Sequence, residues 1–198
     1  MAARRKEKFA APKRMRGQRP QAPGSAAKDD IEAMIRVDHA GEYGAVRIYE
    51  GQLAVLSARP GSARAAAAIK RMSDQEQRHL ARFDALVNER RVRPTALEPV
   101  WRLAGFTLGA VTALLGEKSA MACTAAVEQV IDEHYASQLE RLAHDKDLQK
   151  TIEDFRKDEV AHRDEALSHG AAEAPGFKIM SEAIKAGCRL AIKLSERI

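Results

Sequence analysis

Apolar residues recur at spacings of three and four through most of this chain, and nowhere do they alternate strictly with polar ones. The first spacing gathers side chains on one face of a helix, whereas strict alternation marks a half-buried strand, so the pattern predicts an all-α fold. Proline and glycine divide it into blocks. A first helix over about 28–57 carries Ile35, Val46, Tyr49 and Leu53 on or near one face and stops before Arg59-Pro60-Gly61. Ser62 is the expected cap of a second helix running to about Asn88, and a basic loop with Pro94 and Pro99 follows. Further helices are expected at about 117–142 and 145–168, and a last one at about 177–197 after the break from Gly170 to Gly176.

The acidic and imidazole positions on these helices repeat. Glu76–His79 and Glu159–His162 are Glu-x-x-His pairs, and each follows a helix with a Glu of its own, Glu42 and Glu128. Residues three apart lie one turn apart on one face, so a Glu and a His so placed can bind the same ion. One such pair means little, because 17 Glu and 6 His in 198 residues give about half a pair by chance. The surroundings add specificity: Tyr49, Gln52 and Leu53 follow Glu42 at the same offsets as Tyr135, Gln138 and Leu139 follow Glu128. Ile69 and Ile152 each stand seven residues before the Glu of a Glu-x-x-His pair. Two related hairpins, each giving half a site, form a pseudo-symmetric four-helix bundle, and this ligand order is that of ferritin-like di-iron proteins. The pairs Glu140–His144 and Glu165–His169, spaced by four, read as solvated surface pairs.

Hard carboxylates with one imidazole per metal suit iron or manganese and disfavour copper or structural zinc. The order assigns Glu42, Glu76 and His79 chiefly to one iron and Glu128, Glu159 and His162 to the other, with Glu76 and Glu159 bridging. Asp38, Asp74, Asp132 and Asp158 are candidates for orienting the imidazoles from outside. Two cysteines, Cys123 and Cys188, are too few for a disulfide framework or a thiolate site, and Cys123 reads as a small buried residue. No Gly-rich phosphate loop and no nucleophile elbow occurs.

The net charge of +5 belongs to one end. Residues 1–27 hold eight Lys/Arg and one Glu, which leaves the rest of the chain at −2. This Pro/Gly/Ala-rich stretch is expected to be a disordered basic tail preceding a single domain at 28–198. It lacks the apolar run of a secretory signal, and its prolines interrupt the helix of a mitochondrial transit peptide, so an arm near anionic lipid is the simpler reading. Nucleic-acid binding finds no support in the near-neutral body.

Two segments exceed what a four-helix metal site needs. Leu103 to Gly116 runs 14 residues without a charge. As a helix it spans about 21 Å, short of the roughly 30 Å hydrocarbon core of a bilayer, so it is not a membrane span. Trp101 and Arg102 at its start suit an interfacial anchor. In the last helix Lys185, Arg189, Lys193 and Arg197 form a basic stripe beside an apolar one of Phe177, Met180, Ile184, Cys188 and Ala191. Both helices can simply cover the bundle; together they favour a membrane surface.

The run Arg36-Val37-Asp38-His39-Ala40-Gly41-Glu42-Tyr43-Gly44-Ala45 resembles the opening motif of the demethoxyubiquinone hydroxylases of ubiquinone biosynthesis. Asp74 to Leu80, Ala126-Val127-Glu128 with Glu133-His134-Tyr135, and Asp158 to His162 resemble its other blocks, in the same order. The resemblance runs from about residue 29 to the end and fills all six of the family's ligand positions. It implies a non-haem di-iron monooxygenase that inserts one oxygen of O₂ into the ring of a demethoxy polyprenyl benzoquinone or quinol, with electrons ultimately from NADH and no flavin domain. By the same resemblance, His134 and Tyr135 stand at positions tied to electron or proton delivery. The two extra helices, the untargeted-looking tail and the Ala/Arg richness favour a peripheral protein of the cytoplasmic face of a bacterial membrane, with the mitochondrial matrix face as the alternative. A homodimer or a lipid-presenting partner protein fits the apolar helices. The competing readings are a ferritin-class ferroxidase, a di-iron quinol oxidase and a non-catalytic membrane scaffold.

Overall fold

The computed structural model describes residues 28–198; the basic tail expected at 1–27 lies outside the described residues. The chain forms six α-helices: α1 (Lys28–Leu56), α2 (Ala63–Glu89), α3 (Glu98–Leu114), α4 (Glu117–Leu139), α5 (Lys146–Ser168) and α6 (Phe177–Ser195), with a 3₁₀ turn at Ala171–Glu173. No strand occurs among the described residues, so the fold is all-α, a ferritin-like bundle with two added helices.

The helix ends follow their turn chemistry. Gly61, Gly116, Gly170 and Gly176 all take positive φ, the conformation that glycine reaches without a Cβ penalty. Asp145 caps α5 by accepting from Leu148 N at 3.2 Å. Ser62 does stand at the start of α2, but its hydroxyl makes no capping hydrogen bond and is buried without a partner. α3 begins earlier than the charge-free run, at Glu98, because Pro99 falls in its first turn, where no amide hydrogen is needed.

α1 pairs with α2 and α4 with α5, and each hairpin carries a covering helix on its first member, α3 on α1 and α6 on α4. The duplication therefore extends over three helices per half. α3 lies against α1 backbone to backbone, since a Cβ on Gly109 would stand 1.9 Å from the Ile48 carbonyl oxygen and one on Gly51 2.1 Å from that of Phe106. Inside the bundle, apolar plugs close both ends. Tyr49, Ile69, Met72 and Met121 build one; Ile35, Phe83, Leu86, Tyr135, Leu148 and Ile152 build the other. Each bundle helix thus runs from one plug to the other, and its metal-type residues fall between them.

The covering helices leave apolar side chains outside: Leu103, Phe106 and Leu114 on α3, and Ile179 and Leu190 on α6. These are not the apolar stripe read from the sequence, for Ile184, Cys188 and Ala191 face inward. The basic stripe is also partly spent on the protein itself, with Arg189 held by Glu133 at 3.0 Å. Among the described residues, no helix is long and apolar enough to cross a membrane.

Candidate metal centre

All six expected ligand residues meet in the middle of the bundle, and all six are buried. Their ligand atoms fall into two sets, Glu42, Glu76, His79 and Glu159 in one and Glu76, Glu128, Glu159 and His162 in the other, with the atoms of each set within 4.8 Å of one another. Glu76 and Glu159 belong to both. His79 Nδ1 lies 3.3 Å from Glu159 and 3.6 Å from Glu42, and His162 Nδ1 lies 3.0 Å from Glu76 and 3.6 Å from Glu159.

Buried polar atoms normally have partners, so those without one need an explanation. Of the fourteen buried side-chain N and O atoms without a hydrogen bond among the described residues, eight are here. They are both oxygens of Glu76 and of Glu159, one oxygen each of Glu42 and Glu128, and Nδ1 of His79 and His162. That is the donor set a pair of cations needs, with two carboxylates free to bridge and two left with one oxygen each.

The remaining atoms are tied outward, in a reciprocal way. Tyr49 of α1 donates to Glu128 of α4, and Tyr135 of α4 donates to Glu42 of α1. Gln52 donates to the Ala120 carbonyl at 3.0 Å and to Thr124 Oγ1 at 3.3 Å, while Gln138 donates to Asp38 Oδ1 at 2.8 Å. Thr124 and Asp38 stand four residues before Glu128 and Glu42 respectively. Nε2 of His79 faces Asp158 at 3.0 Å, and Nε2 of His162 faces Gln75 at 3.0 Å.

Charge follows this packing. Burial, with Glu76 nearby, pushes Glu42 well above the usual carboxylate range, and burial, with Glu159, does the same to Glu128. Burial opposes ionisation of Glu76 too, but the His162 and His79 imidazoles facing it prevail and hold it at about 2. His162 is disfavoured as a cation by burial, yet Glu159 and Glu76 raise it to about 9, and the carboxylates raise His79 as well. Without metal the cluster is a proton-sharing network.

Of the four aspartates expected to orient imidazoles, one does so on a centre-facing ring, Asp158. Asp38 lies 3.2 Å from His134 instead, Asp74 pairs with Lys70 at 2.5 Å, and Asp132 pairs with Arg156 at 2.6 Å and Arg163 at 3.2 Å. Gln75 was missed because acids alone were weighed; its signal is that it precedes Glu76 as Asp158 precedes Glu159. Glu165 is engaged by Arg71 at the surface, as a solvated residue should be. Cys123 is buried and its thiol is pushed up to about 12 by that burial, which removes it as a nucleophile at neutral pH.

A cavity of about 530 Å³ lies on the other side of α1 and α4, under α3 and α6. Its lining is almost wholly apolar, with Gly41, Gly44, Trp101, Leu108, Val127 and Ile184 among the walls. Ala45, Ile48 and Val127 stand between this cavity and the Tyr49–Glu128 pair.

Fold and site together define a ferritin-like helical bundle built around a buried carboxylate–imidazole centre. Within that class, the family model described as "Ubiquinone biosynthesis protein COQ7" matches residues 29–195, and the chain belongs to that family. It is similar to a 3-demethoxyubiquinol 3-hydroxylase of Rhodospirillum rubrum, 54% identical over 169 residues that cover 85% of this chain and 78% of the relative. A human relative named NADPH-dependent 3-demethoxyubiquinone 3-hydroxylase, mitochondrial, is 48% identical over 173 residues, with 85% and 78% covered. A relative in Saccharomyces cerevisiae named 5-demethoxyubiquinone hydroxylase, mitochondrial, is 41% identical over 184 residues, with 85% and 78% covered. These relatives are by name enzymes, hydroxylases all.

Proposed function

We propose that this chain hydroxylates the ring of a demethoxy polyprenyl benzoquinone or quinol in ubiquinone biosynthesis, at a di-iron centre held by Glu42, Glu76, His79, Glu128, Glu159 and His162. The observation that carries the reading is the set of eight unpartnered buried atoms, in two groups that share Glu76 and Glu159, which would place those two between the metals. When bound, such a centre supplies oxygen activation, which side chains cannot perform alone. The balanced reaction takes substrate, O₂, a reduced nicotinamide and a proton to ring-hydroxylated product, oxidised nicotinamide and water. The human relative bears NADPH in its name, whereas the resemblance points to NADH, and turnover with each nicotinamide in turn distinguishes the two.

The chain's own residues hold and separate the reactants. Tyr49 and Tyr135 fix one oxygen each of Glu128 and Glu42 and leave the other for the metal. The apolar cavity takes the substrate, whose isoprenoid tail suits its walls, and keeps water from the reacting ring. His134 reaches the surface with 18% of its side chain exposed and shares a proton with the buried Asp38, whose charge outweighs burial and raises the imidazole. Its ring lies 6.3 Å from that of Tyr135, which ends at Glu42. This path brings protons, and electrons with them, from the surface beside the end of α6, where Glu196 also acts on the imidazole. The exposed Leu103, Phe106, Leu114, Ile179 and Leu190 support docking on a membrane, on the cytoplasmic face in a bacterium or the matrix face in a mitochondrion.

The test is a single turnover. Protein loaded with ferrous iron receives a short-chain demethoxyquinone and reduced nicotinamide under ¹⁸O₂, and the product ring is weighed. One labelled oxygen on the ring, absent from Glu76→Ala and Glu159→Ala variants, is expected. Iron oxidation with an unchanged quinone refutes the reading in favour of a ferroxidase, and quinol oxidation without labelling in favour of an oxidase.

A further inference from the structure

The duplicated halves of the centre differ at the residue behind each imidazole. His79 Nε2 lies 3.0 Å from Asp158 Oδ2, and His162 Nε2 lies 3.0 Å from Gln75 Oε1. Both partners precede the Glu of the opposite Glu-x-x-His pair, so they are equivalent in the repeat, yet one is a carboxylate and the other an amide. Since Nδ1 of each ring faces the centre, Nε2 carries the hydrogen of the neutral ring and donates it outward. A carboxylate draws that hydrogen harder than an amide oxygen does, and so leaves Nδ1 a stronger donor to a cation. Burial does not separate the two rings, whose side chains are 3% and 2% exposed. Packing favours the same ring again: Phe155 stacks flat on His79 with centroids 3.8 Å apart, whereas Tyr49 meets His162 edge-on at 6.5 Å.

We infer that the two halves bind metal unequally, the Glu42–His79 half, backed by the Asp158 carboxylate, holding a divalent cation more tightly than the Glu128–His162 half, backed by the Gln75 amide. The inference rests on the two-metal reading above. Asp158 and Gln75 are positioning residues that act through the imidazoles, and a chain given one equivalent of metal fills the His79 half first.

Calorimetric titration of the metal-free full chain with Mn²⁺, followed in parallel by electron paramagnetic resonance, tests this. Two steps separated by about tenfold to hundredfold are expected, the range typical of such outer partners. One equivalent gives the six-line signal of an isolated ion, and the second converts it to that of a coupled pair. Asp158→Asn weakens the tighter step about tenfold and closes the gap, while Gln75→Glu tightens the weaker step and closes it from the other side. Glu128→Gln keeps the tight step and Glu42→Gln loses it. Two equal steps in the unaltered chain, or an Asp158→Asn variant with both steps unchanged or equally weakened, overturn the inference. A chain that takes up fewer than two Mn²⁺ overturns the two-metal reading itself.

Discussion

A single methyl group added at two glycines on the α1–α3 side should change stability in opposite directions. At Gly109 a Cβ would stand 1.9 Å from the Ile48 carbonyl oxygen, 2.8 Å from its carbon and 3.1 Å from Gln52 N. All three are backbone atoms, so no side chain can rotate away, and α3 must retreat roughly 1 Å along the line of contact. Overpacking of this kind costs about 1–3 kcal/mol, and a clash with backbone belongs near the top of that range. Alanine returns about 1 kcal/mol of helix propensity, which leaves Gly109→Ala about 2 kcal/mol less stable. For a chain of this size that is a fall in Tm of roughly 4–8 °C. Gly44 has nothing within 4 Å of its missing Cβ and lines the cavity. Gly44→Ala therefore keeps the propensity gain, about 1 kcal/mol, and raises Tm by roughly 2–4 °C. Its methyl group takes up room meant for the substrate, so KM for a short-chain demethoxyquinone rises several-fold while kcat stays near the original. Thermal melts by circular dichroism and steady-state kinetics read both. A Gly109→Ala protein that melts at or above the original temperature, or a Gly44→Ala protein that melts below it, refutes the reasoning.

Tyr49→Phe and Tyr135→Phe each strip a buried carboxylate of its donor, a loss of about 1.5–3 kcal/mol for a bond to a charged group. Metal retention on dialysis should fall about tenfold or more in either variant, with helicity unchanged. His162 is raised from 6.5 to about 9 in the metal-free protein, so its proton stabilises that form fully below pH 6.5 and ceases to do so as pH rises through 9. Metal must displace that proton, so affinity climbs from pH 6.5 to 9 and binding releases acid in an unbuffered titration; a flat profile contradicts the network. Asp145→Ala removes both the α5 cap and the partner of Arg90, and should lower stability by about 1–2 kcal/mol after the half-exposed ion pair is discounted. Arg90 chiefly holds Asp145 below its ordinary 3.8, against burial, so the deficit is full at pH 7 and shrinks as pH falls below 3.8, which acid-titrated melts can follow.

The six residues that meet at the centre were legible in the sequence because their pattern is local: a Glu and a His three apart share a face wherever the helix goes, and the pattern occurs twice. The tyrosines show where legibility ends. Tyr49 and Tyr135 stand at the same offset from Glu42 and Glu128, which marked them as a repeat, but each serves the carboxylate of the other half. Periodicity says which face a residue occupies and not which neighbour that face meets, so a crossed pair reads like an uncrossed one. The same limit hid the cavity. Gly41 and Gly44 stand in the sequence only as members of the opening motif, and only the packing of α3 and α6 reveals that they line a space. Which imidazole Asp38 meets is set the same way: it lies four residues before Glu42, but α4 brings His134 and Gln138 to it.

The duplication also shows what each departure from symmetry does. If both halves were identical, each tyrosine-held carboxylate would meet the same surroundings. Instead Asp38 stands where the matching position holds Thr124, so Gln138 and His134 meet a carboxylate in one half while Gln52 meets a hydroxyl in the other. The cavity lies under the covering helices, its wall of Ala45, Ile48 and Val127 pressed against the half where Tyr49 holds Glu128. An apolar molecule in the cavity would therefore be parted from the Tyr49–Glu128 pair by those three side chains.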